Sequence, residues 1–110
     1  MAQAEKDKDF ARKWISYRPE IKVVDVTVRD GGLMSNHRFS DDMVRGVYNA
    51  CVDAGIDYME LGYKADKKVF SAKDNGKWKF CDEDDLRRIV SENPSGLKLA
   101  AMADATKADW

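Results

Sequence analysis

The chain has 110 residues, a formal net charge of -1, 44% apolar and 35% charged residues, and a pI of about 5.8. This balanced, mildly acidic composition argues against a dedicated nucleic-acid or polyanion surface, and no apolar run approaches the ~20 residues that span a bilayer. Met1-Ala2-Gln3-Ala4-Glu5-Lys6-Asp7-Lys8 lacks the apolar stretch of a secretory signal. Cys51 and Cys81 show no metal-type spacing and no disulfide framework. A cytoplasmic protein with reduced thiols is the expectation.

Residues 1–20 read as an N-terminal helical extension. Phe10, Trp14 and Tyr17 put three aromatics on one stripe of a helix over 4–17, which Arg18-Pro19 ends. That stripe suits packing against the first strand, the bottom of a barrel, or a partner.

A first strand is predicted over 21–28. Val23, Val24, Val26 and Val28 suit a strand covered on both faces. It runs straight into Arg29 and Asp30, which are costly to bury unless paired or given a task. Gly31 and Gly32 then let the backbone turn sharply. In α/β sheets chemistry collects at the C-terminal ends of parallel strands, so this junction is where a catalytic pair would sit.

Ser40 reads as a helix N-cap, with Asp41 and Asp42 in a first turn favoured by the helix dipole. Met43, Val44, Val47, Cys51 and Ala54 follow at helical spacing, and Gly55 supplies a left-handed stop. Residues 56–62 form a second short strand, and strand–helix–strand implies a parallel pair with a right-handed crossover. Residues 63–81 read as a long polar loop, of a length that is usually functional or disordered. Its lysines Lys64, Lys67 and Lys68 are either a solvated run or a hold on an anionic substrate. Asp82 can cap the next helix, with Leu86, Ile89 and Val90 facing inward and Asn93-Pro94 ending it. Residues 97–103 form the third strand.

Asp25-x-Thr27-x-Arg29-Asp30-Gly31, followed by Glu60-Leu61-Gly62, resembles the opening of the metal-dependent aldolase and lyase superfamily. Its members include 4-hydroxy-2-oxovalerate aldolase, hydroxymethylglutaryl-CoA lyase, and the isopropylmalate and homocitrate synthases. The likeness covers roughly residues 21–104. The continuation Gly31-Gly32-Leu33-Met34-Ser35-Asn36-His37-Arg38-Phe39 is similar to an aldolase-like branch with a double glycine and a nearby asparagine. The resemblance implies an α/β chain whose three or so parallel strands are the first βα units of a (βα)8 TIM barrel. Such a barrel takes on the order of 250 residues, so residues 21–110 would be the truncated N-terminal part of that domain, inactive in isolation.

The resemblance also assigns roles. Asp30 matches the family's metal-ligating aspartate, and an aspartate is a hard ligand suited to Mg2+ or Mn2+. Arg29 matches the catalytic arginine, which can hold a substrate carboxylate and stabilise an enolate oxygen. Glu60 and Asp25 match acidic positions that support the arginine and metal site. Thr27 matches a structural hydroxyl, and Asn36 is placed to bond the loop or the substrate. The oxovalerate aldolases put a histidine base three residues after the motif aspartate, where this chain has Leu33. His37 is the sole histidine and is expected on the surface. The remaining metal ligands, a His-x-His pair in the family, would lie outside this chain.

The implied function is a divalent-metal-dependent carbon–carbon lyase, aldolase or Claisen-type condensing enzyme acting on a 2-oxo acid such as pyruvate, with homo-oligomerisation left open. The alternative is a non-catalytic α/β interaction module that retains the motif for structure.

Overall fold

The computed structural model describes residues 18–108. The expected helix over 4–17 lies outside that range. The described elements are β1 (Val24–Asp25), α1 (Thr27–Gly31), a 3-10 turn (Gly32–Met34), α2 (Asp41–Ala54), β2 (Tyr58–Tyr63), a second 3-10 turn (Lys77–Lys79), α3 (Glu83–Val90) and β3 (Lys98–Met102).

The strands form one parallel sheet in the order β1-β2-β3. Val24 pairs with Tyr58 and Asp25 with Met59. Tyr58, Met59 and Glu60 pair with Lys98, Leu99 and Ala100. The register slips between Glu60 and Tyr63, at Gly62, whose φ of 155° few side chains tolerate. A Cβ there would collide with the Trp78 carbonyl oxygen, so the glycine admits the returning loop against the strand.

The first strand is much shorter than the predicted 21–28. The chain leaves the sheet after Asp25 because that carboxylate accepts from Thr27 N at 3.1 Å and from Thr27 Oγ1 at 2.9 Å. Such local side-chain bonds compete with ladder pairing, and the backbone turns helical, with Asp30 N bonding Val26 O at 2.8 Å. The valines are not covered on both faces either. Val23 and Val24 are 50% and 47% exposed, and only Val28 is fully buried.

Helix α2 forms where its caps predict. Ser40 Oγ accepts from Met43 N at 3.2 Å, and Gly55 closes the helix in the left-handed region with φ 70°. Its buried stripe is Val44, Tyr48 and Cys51. Met43, expected inside, is 42% exposed, and Ala54 is exposed as well. Tyr48 instead reaches Asn93 Oδ1 at 2.5 Å, tying the helix to the turn before β3.

Helix α3 starts after Asp82, but the Asp82 side chain makes no cap bond. It pairs with Lys67 Nζ at 2.7 Å instead, which holds the carboxyl below its ordinary range. The helix ends at Val90, ahead of the expected Asn93-Pro94 stop, with Ser91 at φ 52°.

Met59 and Leu61 project from one face of β2 into a core that includes Val28, Val44, Cys51, Trp78, Ile89, Val90 and Leu97. By strand alternation Glu60 points to the opposite face, beside the exposed Ala100 of β3. The 63–81 segment is anchored rather than loose. Trp78 is fully buried and donates its indole N–H to Phe39 O at 3.3 Å. Phe80 and Cys81 are also buried, and Gly76 N bonds Asn36 O at 2.8 Å. No helix among the described residues is long and apolar enough to cross a membrane.

Candidate active site

Arg29 stands on α1, one short helical turn past the C-terminal end of β1. Its Nε donates to Glu60 Oε2 at 2.6 Å, bringing together two side chains only 19% and 18% exposed. The short contact arises because Glu60 lies on the half-open face of β2 while α1 folds back over that strand. Hydrogen bonding to Glu60 raises the guanidinium pKa above its ordinary value; burial opposes this and Tyr63 adds to it. Arginine has five N–H donors in a rigid fork. Nε is committed to Glu60 and Tyr63 also bonds the guanidinium, so a planar oxyanion would meet the N–H groups that these contacts leave. Nη1 lies 3.8 Å from Asp30 Oδ1.

Tyr63, the last residue of β2, links this pair to a part of the site that the sequence did not suggest. His37 packs edge-on to the Tyr63 ring at 5.0 Å. It is buried, 4% exposed, which corrects the expected surface position. The room comes from Gly32, where a Cβ would collide with the imidazole. Asn36 and His37 also adopt left-handed backbone at φ 53° and 62°, which folds the side chain inward. His37 Nδ1 is buried with no hydrogen-bond partner among the described residues. Burial first, and Lys79 second, push the imidazole pKa down, favouring the neutral ring.

Asp30 is on the exposed side of α1, with its side chain 68% exposed. Asp25, expected to back Arg29, is occupied by Thr27. Asn36 is exposed, and its carbonyl fastens the 63–81 segment through Gly76. Among the described residues no three His, Cys, Asp or Glu side chains converge to hold a metal ion. The donors of this segment therefore do not fit a Mg2+ or Mn2+ centre by themselves, since Mg2+ keeps its waters unless several ligands meet. No family model, curated protein or solved structure matches the chain.

The expected lysine run is largely engaged. Lys64 Nζ donates to Phe80 O at 3.2 Å, and Lys67 Nζ to Asp82 Oδ2 at 2.7 Å. A different lysine, Lys79, sits over two rings, 4.5 Å from the centroid of Tyr63 and 4.1 Å from that of Phe70. Two signals for this cluster were present in the sequence: Tyr63 directly follows the Glu60-Leu61-Gly62 strand end, and Lys79 lies in a Trp78-Lys79-Phe80 run whose aromatics must pack somewhere. Both cysteines are buried free thiols. Burial pushes the Cys81 thiol up to about 12, so it is a packing group rather than a nucleophile.

Proposed function

We propose that this chain is the opening segment of an aldolase- or lyase-type (βα)8 enzyme acting on a 2-oxo acid such as pyruvate, with Arg29 as the residue that holds the substrate's carboxylate or developing enolate. The observation that carries the reading is the Arg29–Glu60 contact of 2.6 Å, made within β2 just beyond the level at which β1 ends. Glu60 fixes the plane of the guanidinium, so its outer edge is preorganised for charge that appears during carbon–carbon bond cleavage or formation. A partly buried arginine held in this way loses little freedom when an oxyanion docks. Asp30, exposed beside it, is the carboxylate available for a divalent cation, whose other ligands would come from outside the described residues.

Oxalate, a planar dianion shaped like the enolate of pyruvate, tests the binding role. In the protein carrying this segment, oxalate should shift the Arg29 Nε–H resonance saturably, and Arg29→Lys should weaken binding about tenfold or more, because lysine lacks the planar fork. An unchanged affinity in Arg29→Lys would remove the reading.

A second reading, a non-catalytic interaction module, rests on a separate observation. Ile21, Val23, Val24, Leu33 and Met34 are all exposed, Met34 at 95%, flanking β1 and the turn after α1. In that reading Arg29–Glu60 is a structural pair, and Arg29→Lys would leave oxalate binding absent in both forms.

A further inference from the structure

Beyond the carboxyl end of β2 the chain forms a cleft of about 100 Å3 between the strand ends and the 63–81 segment. Tyr63, Phe70, Lys79, Asp104 and Lys107 are among the residues that line it. Lys79 Nζ rests on the Tyr63 and Phe70 rings, and among the described residues no carboxylate pairs with it. Cation–π contact holds such an ammonium in place without neutralising it.

The Lys107 backbone is fixed from both sides, its N–H donating to Asp104 O at 3.1 Å and its carbonyl accepting from Asp66 N at 2.8 Å. The acidic group of the cleft, Asp104, is already engaged, accepting from Thr106 N at 3.0 Å and Thr106 Oγ1 at 2.9 Å. Burial, with Lys107 adding, lowers the Lys79 pKa. Lys79 and Lys107 thus line a small cleft together with Asp104, a carboxylate whose charge Lys107 helps to hold.

We propose that Lys79 and Lys107 form an oxyanion subsite, distinct from the Arg29–Glu60 pair, that takes one carboxylate or phosphate group in the cleft beside Tyr63. The volume admits a single oxyanion group rather than a nucleotide. Tyr63 is the shared wall, with Arg29 against its side chain and Lys79 over its ring. A ligand carrying two anionic groups could therefore engage both positions. The subsite does not depend on the 2-oxo acid reading, because it requires neither metal nor Arg29.

The test titrates the 15N-labelled 110-residue chain with inorganic phosphate and, separately, with acetate, in metal-free buffer at constant ionic strength. The expected result is saturable shifts at Lys79, Phe70 and Lys107. Lys79→Met should weaken binding about tenfold or more, the loss of one charge-assisted hydrogen bond, and Lys107→Met should weaken it as well. Lys68→Met, an exposed lysine outside the cleft, should change nothing. Tighter binding of phosphate than of acetate identifies a phosphate group as the ligand, and the converse identifies a carboxylate. Retained spectral dispersion in either lysine variant keeps the test valid if the other misfolds. Non-saturating shifts, or affinity indifferent to both Lys79→Met and Lys107→Met, would overturn the proposal and leave the Arg29 reading untouched.

Discussion

Arg29 Nε and Glu60 Oε2 lie 2.6 Å apart, joining a residue just past the first strand to one within the second. Each side chain is less than one-fifth exposed, so removing either partner strands a charge in a poorly solvated place. Glu60→Gln should destabilise the fold by about 1–3 kcal/mol. Combined with Arg29→Met, the cost should be less than the sum of the two single changes. Urea unfolding of the four proteins in this cycle measures the coupling, and simple additivity would show the contact to be energetically idle.

The buried histidine should make stability depend on pH. Burial and Lys79 hold the folded imidazole below its ordinary value of 6.5, whereas the unfolded chain titrates near 6.5. Between those two values the unfolded state binds a proton that the folded state does not. The contribution is therefore complete above about pH 6.5 and is lost as pH falls through the window beneath it, by at most ~1.4 kcal/mol per pH unit. The chain has one histidine, so His37→Gln should flatten the slope just below about pH 6.5. An identical slope in the variant would place the proton elsewhere.

Gly32 and Gly62 are close-approach positions. Gly32→Ala drives a methyl into His37, and Gly62→Ala drives one into the Trp78 carbonyl. Each should cost at least about 1–3 kcal/mol, the usual range for overpacking. Leu61→Ala, which empties a site only 1% exposed, should cost about 2–5 kcal/mol. Thermal or urea melts read all three. A neutral Gly32→Ala would mean that His37 does not occupy the space over that glycine.

Residues with local determinants were the legible ones. Helix α2 announces itself through Ser40 and Gly55, whose capping chemistry is written within a few positions. The parallel order β1-β2-β3 follows from alternation of strands and helices, and Glu60 meets Arg29 because β1 ends level with Met59, so the chain leaving β1 passes the next residue of β2. Valine content predicts a longer first strand than forms, because the Asp25–Thr27 bonds turn the chain out of the sheet. The burial of His37 depends on the missing side chain of Gly32, a tertiary circumstance with no periodic signal in the sequence. The Tyr63–Lys79–Phe70 stack joins residues far apart in the chain, and only the anchored 63–81 segment brings them together.

Asp30 offers a single exposed carboxylate, so the 110-residue chain should bind Mn2+ only weakly. Paramagnetic broadening should centre on Asp30 and vanish in Asp30→Ala. Tight, saturable binding that survives this change would locate a metal site that the described residues do not form.

The most direct measurement is deuterium exchange at the methyl group of pyruvate, followed by proton NMR with Mn2+ present, in the protein carrying this segment. Arg29→Lys keeps the positive charge but loses the forked contact. It should slow exchange about 100-fold or more, the scale of losing one preorganised oxyanion donor, while pyruvate affinity falls much less. Exchange at the parent rate in Arg29→Lys would contradict the account.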